Sequence, residues 1–336
     1  MKKISCLAVI IITAFFISKL SLDNNKNKQE QNELRGIFIS YLEYLEYFQN
    51  KEPKEIKQKI DNIVENLIKY KINNIYLQVR PFSDSIYKSE IFPFSHTISG
   101  TQGKEINIDI LKIFIDKAHK KEINVHAWVN PYRISNNTDT TFISKNSPAY
   151  KWLNTNNVKI IKNKGIYYNP ASKEVHELII KGIKELVTNY NIDGILLDDY
   201  FYPDDTIDLE NYKEVENTIS ITDFRLNNTN KLITSIYKTI KETNSNILFG
   251  ISPDGNINNN YNNHYIDVKK WLKEDNYIDY IMPQLYYGFF HQTKPFIETL
   301  NEWDNLIEND VKLVIGLALY KIGELDKYAG SGSTGY

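Results

Sequence analysis

Two adjacent carboxylates, Asp198 and Asp199, end the apolar run of "GILLDDYFYP" (residues 194–203), and aromatic residues and a proline follow them. Paired carboxyl groups are the usual machinery of glycosidic bond cleavage. One protonates the leaving oxygen and the other acts as base or nucleophile. Consecutive side chains of a strand point to opposite faces, so the two acids are unequal. Asp198, on the face of Leu196, is the first candidate for the reactive group. Asp199 is expected at the rim or against a helix layer, unless the strand end twists or bulges. Asp254, Asp84 and Glu43 follow other apolar runs and are further candidates for a second carboxylate.

Other apolar runs carry polar side chains at alternate positions. In "NNIYLQVRP", Tyr76, Gln78 and Arg80 share one face and Ile75, Leu77 and Val79 the other. In "NVHAWVNPYR", His126, Trp128 and Asn130 oppose Val125, Ala127 and Val129. Gly250, Ser252 and Asp254 oppose Phe249 and Ile251, while Gln284 and Tyr286 oppose Ile281 and Leu285. In the last run Gly316, Ala318 and Tyr320 oppose Ile315, Leu317 and Leu319. A buried polar group without a partner is costly, so such a set is either mutually bonded or used. Arg80 and Arg133 offer planar forks that suit a carboxylate of the protein or an anionic sugar substituent. Trp128, Tyr132, Tyr200, Tyr202 and Tyr286 are candidates for stacking on sugar rings. Structural alternatives stand beside each of these. A single histidine such as His126 is more often a hydrogen-bonded core residue, Trp128 and Tyr202 are equally packing residues, and the arginines suit structural ion pairs.

The elements that must position these residues alternate along the chain. Strand-like runs lie at residues 34–42, in "NNIYLQVRP", in "NVHAWVNPYR", in "DGILLDDY", in "ILFGISPDG", in "IDYIMPQLYY" and in "KLVIGLALY". Helical spacing separates them. From Pro53 onward Ile56, Ile60, Ile63, Val64, Leu67 and Ile68 share a face, with proline in the first turn. Further helices are expected at 110–118, 175–187, across Leu226, Ile233, Ile236, Tyr237 and Ile240, near Trp271, and at 295–307. Seven strands alternating with helices, and no Gly-rich phosphate loop after the first, predict an α/β fold of (β/α)8 TIM-barrel type over a dinucleotide-binding sheet. An eighth strand–helix unit is expected but has no counterpart before "AGSGSTGY", so residues 34–336 read as a barrel lacking its last unit in this chain. The polar faces then look into the barrel. Their C-terminal ends meet at the mouth, where barrel active sites lie.

Composition removes several other classes. The 336 residues are 42% hydrophobic and 24% charged, which permits a large core. A net charge of −2 argues against a nucleic-acid partner. Cys6 is the single cysteine, so no internal disulfide forms, and the six histidines make no H-E-x-x-H pair. No metal or cofactor is expected. Residues 1–22 read as a signal peptide or N-terminal anchor. Lys2 and Lys3 precede an apolar run at 6–17, whose length suits a secretory signal and is short for a membrane span. No clean small-x-small cleavage site follows, so retention as a membrane anchor is the alternative to secretion. Residues 23–33 form a polar linker. Export is expected, with the protein secreted or held at the cell envelope.

The segments "RGIFISYLEY", "LQVRPFSDSIYKSEIFPFSHTISGTQGK", "VHAWVNPYRIS", "NYNIDGILLDDYFYP", "GISPDG" and "YIMPQLYYGF", in this order, resemble the glycosyl hydrolase-like 10 family. The resemblance runs from about residue 34 to the end. It implies a bacterial, exported β/α-barrel that hydrolyses glycosidic bonds in a cell-wall or related polysaccharide. The family includes a hydrolase of peptidoglycan glycan strands stripped of stem peptides. The chain departs from the family pattern at Leu196, where histidine is common, at Asp254, where a bulky apolar residue is usual, and in lacking the last strand beyond "AGSGS". A substrate bearing an N-acetyl group can supply its own nucleophile. One acid of the 198–199 pair would then protonate the leaving oxygen while its neighbour orients the acetamide. A non-catalytic glycan-binding barrel and a metal-dependent polysaccharide deacetylase are the alternatives, although the H-x-x-x-H pair usual for the latter is missing.

Overall fold

A computed structural model describes residues 33–199 and 201–330. The leader at 1–22 and nearly all of the linker at 23–33 lie outside the described residues. In chain order the principal elements are β1 (Gly36–Ile39), α1 (Tyr41–Tyr47), α2 (Pro53–Lys69), β2 (Asn74–Arg80), α3 (Ile110–His119), β3 (Asn124–Val129) and β4 (Arg133–Ser135). There follow β5 (Val158–Ile161), β6 (Gly165–Tyr168), α4 (Lys173–Asn189), β7 (Gly194–Leu197), α5 (Ile221–Thr243), β8 (Leu248–Ile251), α6 (Val268–Trp271), β9 (Tyr280–Ile281), α7 (Phe296–Asp304) and β10 (Lys312–Leu313). The strands β1-β2-β3-β7-β8-β9-β10 pair in that order, every neighbour parallel. Among the described residues no ladder joins β10 to β1.

The helices form where the sequence spacing places them, and their ends have local causes. Pro53 opens α2, and the Glu55 side chain accepts from the Glu52 backbone N–H at 3.1 Å. Ser172 caps α4, Ser220 caps α5 and Asp109 caps α3. Their apolar stripes, such as Val175, Ile179, Ile183 and Leu186 on α4, are buried in one large cluster. That cluster also holds the outer strand face of Ile75, Leu77 and Val79 on β2, Val125, Ala127 and Val129 on β3, and Phe249 and Ile251 on β8. The predicted alternation of faces therefore holds across most of the sheet.

Inside the curve lies a second, separate cluster of Tyr76, Leu196, Tyr280 and Met282, with Phe38, Trp128 and Val314 against it. These residues come from six of the seven strand runs. They can meet only because the sheet curls on itself into a half-barrel, and they fill its base as side-chain layers fill small barrels. Large rings fit there because their neighbours have no side chain. A Cβ built on Gly194 would overlap the His126 ring, and one on Gly250 would overlap the Tyr280 ring.

Three features depart from the sequence reading. The first run stops as a strand at Ile39, because Ser40 starts α1: its Oγ accepts from Leu42 N at 3.2 Å, and Glu43 returns to Ser40 N at 2.7 Å. The "SYLE" capping box was the available signal. A three-stranded antiparallel sheet, β4-β6-β5, interrupts the βα alternation after β3. Its hairpin signal was two short apolar runs around the "KNK" turn, with Asn163 and Gly165 at positive φ. Leu317 and Leu319, expected against helices, are instead 55% and 65% exposed. β10 ends at Leu313, and a short turn at Leu319–Lys321 replaces continued strand. If ring packing sets the barrel base, Gly250→Ala lowers stability by about 1–3 kcal/mol, read as a fall in thermal midpoint. An unchanged midpoint would mean that the base repacks freely.

Candidate active site

β7 ends at Leu197, so strict alternation ends there, and both acids reach the same space. Asp198 and Asp199 line a cleft of about 530 Å³ at the C-terminal ends of the strands. Gln78, Trp128, Arg133, Ser252, Gln284 and Tyr286 line it with them. Eight of the thirteen residues proposed from sequence thus converge on one cavity, counting the two acids.

The two carboxylates sit in different surroundings. Asp198 is only 4% exposed. Its Oδ2 accepts from Trp128 Nε1 at 3.0 Å and from Asn130 Nδ2 at 3.1 Å. Asn130 is fixed in turn, because its Oδ1 accepts from the backbone N–H groups of Tyr132 at 3.2 Å and Arg133 at 2.8 Å. Such donors stabilise and aim an ionised carboxylate. Asp199 is half-buried, and its carboxyl is held above the usual carboxylate range. Burial is the main cause and the negative charge of Asp254 adds to it, while His264 and a hydrogen bond from Gln284 oppose it. A fixed, hydrogen-bonded carboxylate beside one that keeps its proton to higher pH is the division that acid-assisted bond cleavage needs.

The surrounding groups are positioned by the loops. Gln78 Oε1 accepts from Tyr41 N at 3.1 Å, tying β2 to the start of α1. Gln284 Nε2 donates to the Ser252 carbonyl at 3.0 Å, tying the β8 and β9 ends together. Arg133 Nε donates to the Pro81 carbonyl at 3.1 Å, and the guanidinium lies over the rings of Phe82 (4.9 Å) and Tyr41 (5.4 Å).

Four proposed residues fall outside the cleft lining, and each has a physical reason. A register shift between Gln78 and Arg80 in the β2–β3 ladder takes Arg80 off the inward face. Its buried guanidinium lies 4.4 Å from the Phe92 ring centre, and Gly182 of α4 leaves room for it. His126 is inward-facing but too deep. It is 3% exposed at the barrel base, its Nδ1 is 3.0 Å from Tyr280 Oη, and burial lowers its pKa to about 4. Tyr132 is buried in the outer core against Phe201. Asn130 is also buried, and it serves the site through Asp198. Tyr202, the further stacking candidate, belongs to the core as well, and Tyr200 lies outside the described residues.

Among the other carboxylates, Asp84 is fully buried and bonded to His96 Nδ1 at 2.6 Å. Glu43 lines the cleft, but its Oε2 takes part in the α1 cap. Asp254 faces a smaller adjoining cavity. The sequence reading did not place Tyr41, Leu317 or Leu319 in the cleft wall, where they lie, whereas Tyr320, assigned to the inward face of the last run, also lines it. Strand alternation does not mark the first three, because Tyr41 opens helix α1 and Leu317 and Leu319 lie beyond the end of β10. Among the described residues no group of three or more His, Cys, Asp or Glu side chains could hold a metal ion.

Two measurements check this electrostatic division. Trp128→Phe keeps a ring but removes the donor to Asp198. A lost hydrogen bond to a charged group costs about 1.5–3 kcal/mol of stability, so the thermal midpoint should fall below wild type with the native fold retained by circular dichroism. For Asp199 the folded state binds its proton more tightly than the unfolded state. Stability therefore falls as pH rises from the unfolded carboxyl value through the raised folded one, and the penalty is complete above it. Asp199→Asn removes that penalty, so its thermal midpoint should exceed wild type at about pH 8 and converge with it at about pH 3. A midpoint below wild type at about pH 8 would contradict the assigned environment.

Residues 33–330 match the model of the family described as glycosyl hydrolase-like 10. The chain is 33% identical to glycosyl hydrolase YngK of Bacillus subtilis (strain 168), over 94% of this chain and 66% of that protein. It is 30% identical to glycosyl hydrolase DigH of Escherichia coli (strain K12), over 81% of this chain and 67% of that protein. The chain thus spans about two thirds of the length of these curated relatives. The PgaB (BpsB) glycoside hydrolase domain from Bordetella bronchiseptica superposes with a TM-score of 0.49 at 8% identity, over 81% of each chain. With the family match extending across the whole curled sheet and its cleft, and two relatives at 30% identity or above, the chain belongs to the glycosyl hydrolase-like 10 family.

Proposed function

We propose that this protein is a glycoside hydrolase acting on an N-acetylhexosamine-containing polysaccharide of the bacterial cell envelope, with peptidoglycan glycan strands lacking stem peptides as its foremost substrate. The observation that carries the activity is the Asp198–Asp199 pair in one cleft, one acid anchored by two N–H donors and the other with its carboxyl pushed above the usual range by burial. The family membership supports the reaction class. The substrate and an extracytoplasmic setting rest on the sequence resemblance and on the leader-like residues 1–22.

In this reading Asp199 gives its proton to the glycosidic oxygen as that bond breaks. The acetamide oxygen of the substrate attacks the anomeric carbon, and Asp198 orients the acetamide and balances the charge that develops on it. Water then opens the cyclic intermediate and returns a proton to Asp199, so the enzyme ends as it began. Trp128 and Asn130 keep Asp198 aimed, and Tyr286 offers a ring face to the sugar.

Purified stem-peptide-free glycan strands, with products identified by mass spectrometry, test the proposal. Asp199→Asn should lower kcat by about 10²- to 10⁴-fold, and Asp198→Asn should also lower it strongly. Wild-type kcat should decline as pH rises past the raised Asp199 value, because the acid form is then lost. Wild-type rates in both variants would remove the catalytic assignment. An analogue without the N-acetyl group, cleaved equally fast, would remove the substrate-assisted route. Binding of strands by a wild-type protein that releases nothing would point to a glycan-binding barrel instead.

A further inference from the structure

The cleft does not end at Asp199. A second cavity of about 240 Å³ adjoins it, and the two share Asp199, Gln284 and Tyr286. Asp198 lines only the larger cavity, whereas Asp199 lines both. That asymmetry orients a substrate. The group that donates the proton must touch the oxygen between two sugars, while its partner acts at the anomeric side of the glycone. The scissile bond then lies at the partition, with the glycone beside Asp198.

We propose that the smaller cavity is the binding site for the leaving-group sugar, and that it takes an uncharged pyranose ring. The inference rests on the glycosidase reading above and adds the direction in which the glycan lies. The cavity supplies what such a ring needs. Tyr286, Tyr287 and Tyr328 line it, and the His291 ring packs 5.3 Å from Tyr287 and 5.1 Å from Tyr328. Asp254 offers a carboxylate acceptor whose position is set by three donors: Asn256 N at 2.7 Å, Asn259 Nδ2 at 2.5 Å and Tyr287 Oη at 3.3 Å. Lys321 brings an ammonium donor into the same space, placed by its bond to the Tyr286 carbonyl at 3.0 Å. The carboxyl groups of Asp254 and Asp199 and the ammonium of Lys321 together serve hydroxyl groups of either polarity. They do not create the one-signed field that would select a charged sugar.

The test compares two substrates of one glycone. A tetrasaccharide of β-linked N-acetylhexosamines fills both cavities, whereas the p-nitrophenyl glycoside of the same sugar lacks a leaving-group pyranose. Asp254→Asn and Tyr328→Ala, each assayed at its own pH optimum, should reduce the tetrasaccharide-to-aryl ratio of kcat/KM at least about ten-fold, because binding energy from the leaving sugar is lost. Arg133→Ala, on the glycone side, should lower kcat/KM for both substrates and leave that ratio near the wild-type value. If the ratio is unchanged in both small-cavity variants, the leaving-group assignment is overturned while the glycosidase reading stands. A ratio that falls only in Arg133→Ala reverses the orientation and overturns it too. If wild type turns over neither substrate, the glycosidase reading fails and takes the subsite with it.

Discussion

A carboxylate that is 4% exposed must find donors or lose its charge, and much of the mouth of this barrel is organised around that requirement at Asp198. Trp128 and Asn130, both at the end of β3, supply the donors across the β3–β7 seam. Asn130 then accepts from two backbone N–H groups of the following turn. That turn sets the start of β4, and so fixes where Arg133 enters the cleft. One buried carboxyl group thus couples the sheet, the first turn of the antiparallel insertion and the cleft wall.

The interior of the curled sheet divides into two environments. Its base is filled by rings and aliphatic side chains, with His126 kept neutral by burial down to about pH 4. Its mouth gathers amides, hydroxyls and carboxylates whose partners are loop groups. The boundary follows from glycine. Gly194 and Gly250 let the His126 and Tyr280 rings occupy the base, where a Cβ at either glycine would overlap them. Asp199 lies between these regimes. It is deep enough for burial to favour its acid form, yet open to two cavities.

Strand alternation read from the sequence located most of this. It assigned Gln78, Trp128, Ser252, Gln284 and Tyr286 to the inward face, and all five line the cleft. It failed where backbone geometry left the ideal period. Between Gln78 and Arg80 the ladder slips, so Arg80 packs against Phe92 instead of facing substrate. Past Leu313 the chain leaves the strand, so Leu317 and Leu319 stand exposed rather than under a helix. Alternation also assigns a face but no depth, which is why His126 and Trp128, two residues apart on one face, have different roles. The antiparallel insertion escaped notice because its strands are three or four residues long and sit between stronger βα signals.

By itself the sequence determined the order of the seven parallel strands and the helices between them, the apolar faces that pack them, and the family to which those motifs belong. These are local properties, set by side-chain period and by caps within a few residues. Tertiary structure decided that the Asp199 carboxyl is pushed above the usual carboxylate range. The state of Asp199 depends on burial and on the charges of Asp254 and His264, groups more than fifty residues away in the chain. It also decided that Asp198 and Asp199 share one cleft. A strand constrains neighbouring side chains to opposite faces only while its ladder continues, and the β7 ladder ends one residue before them.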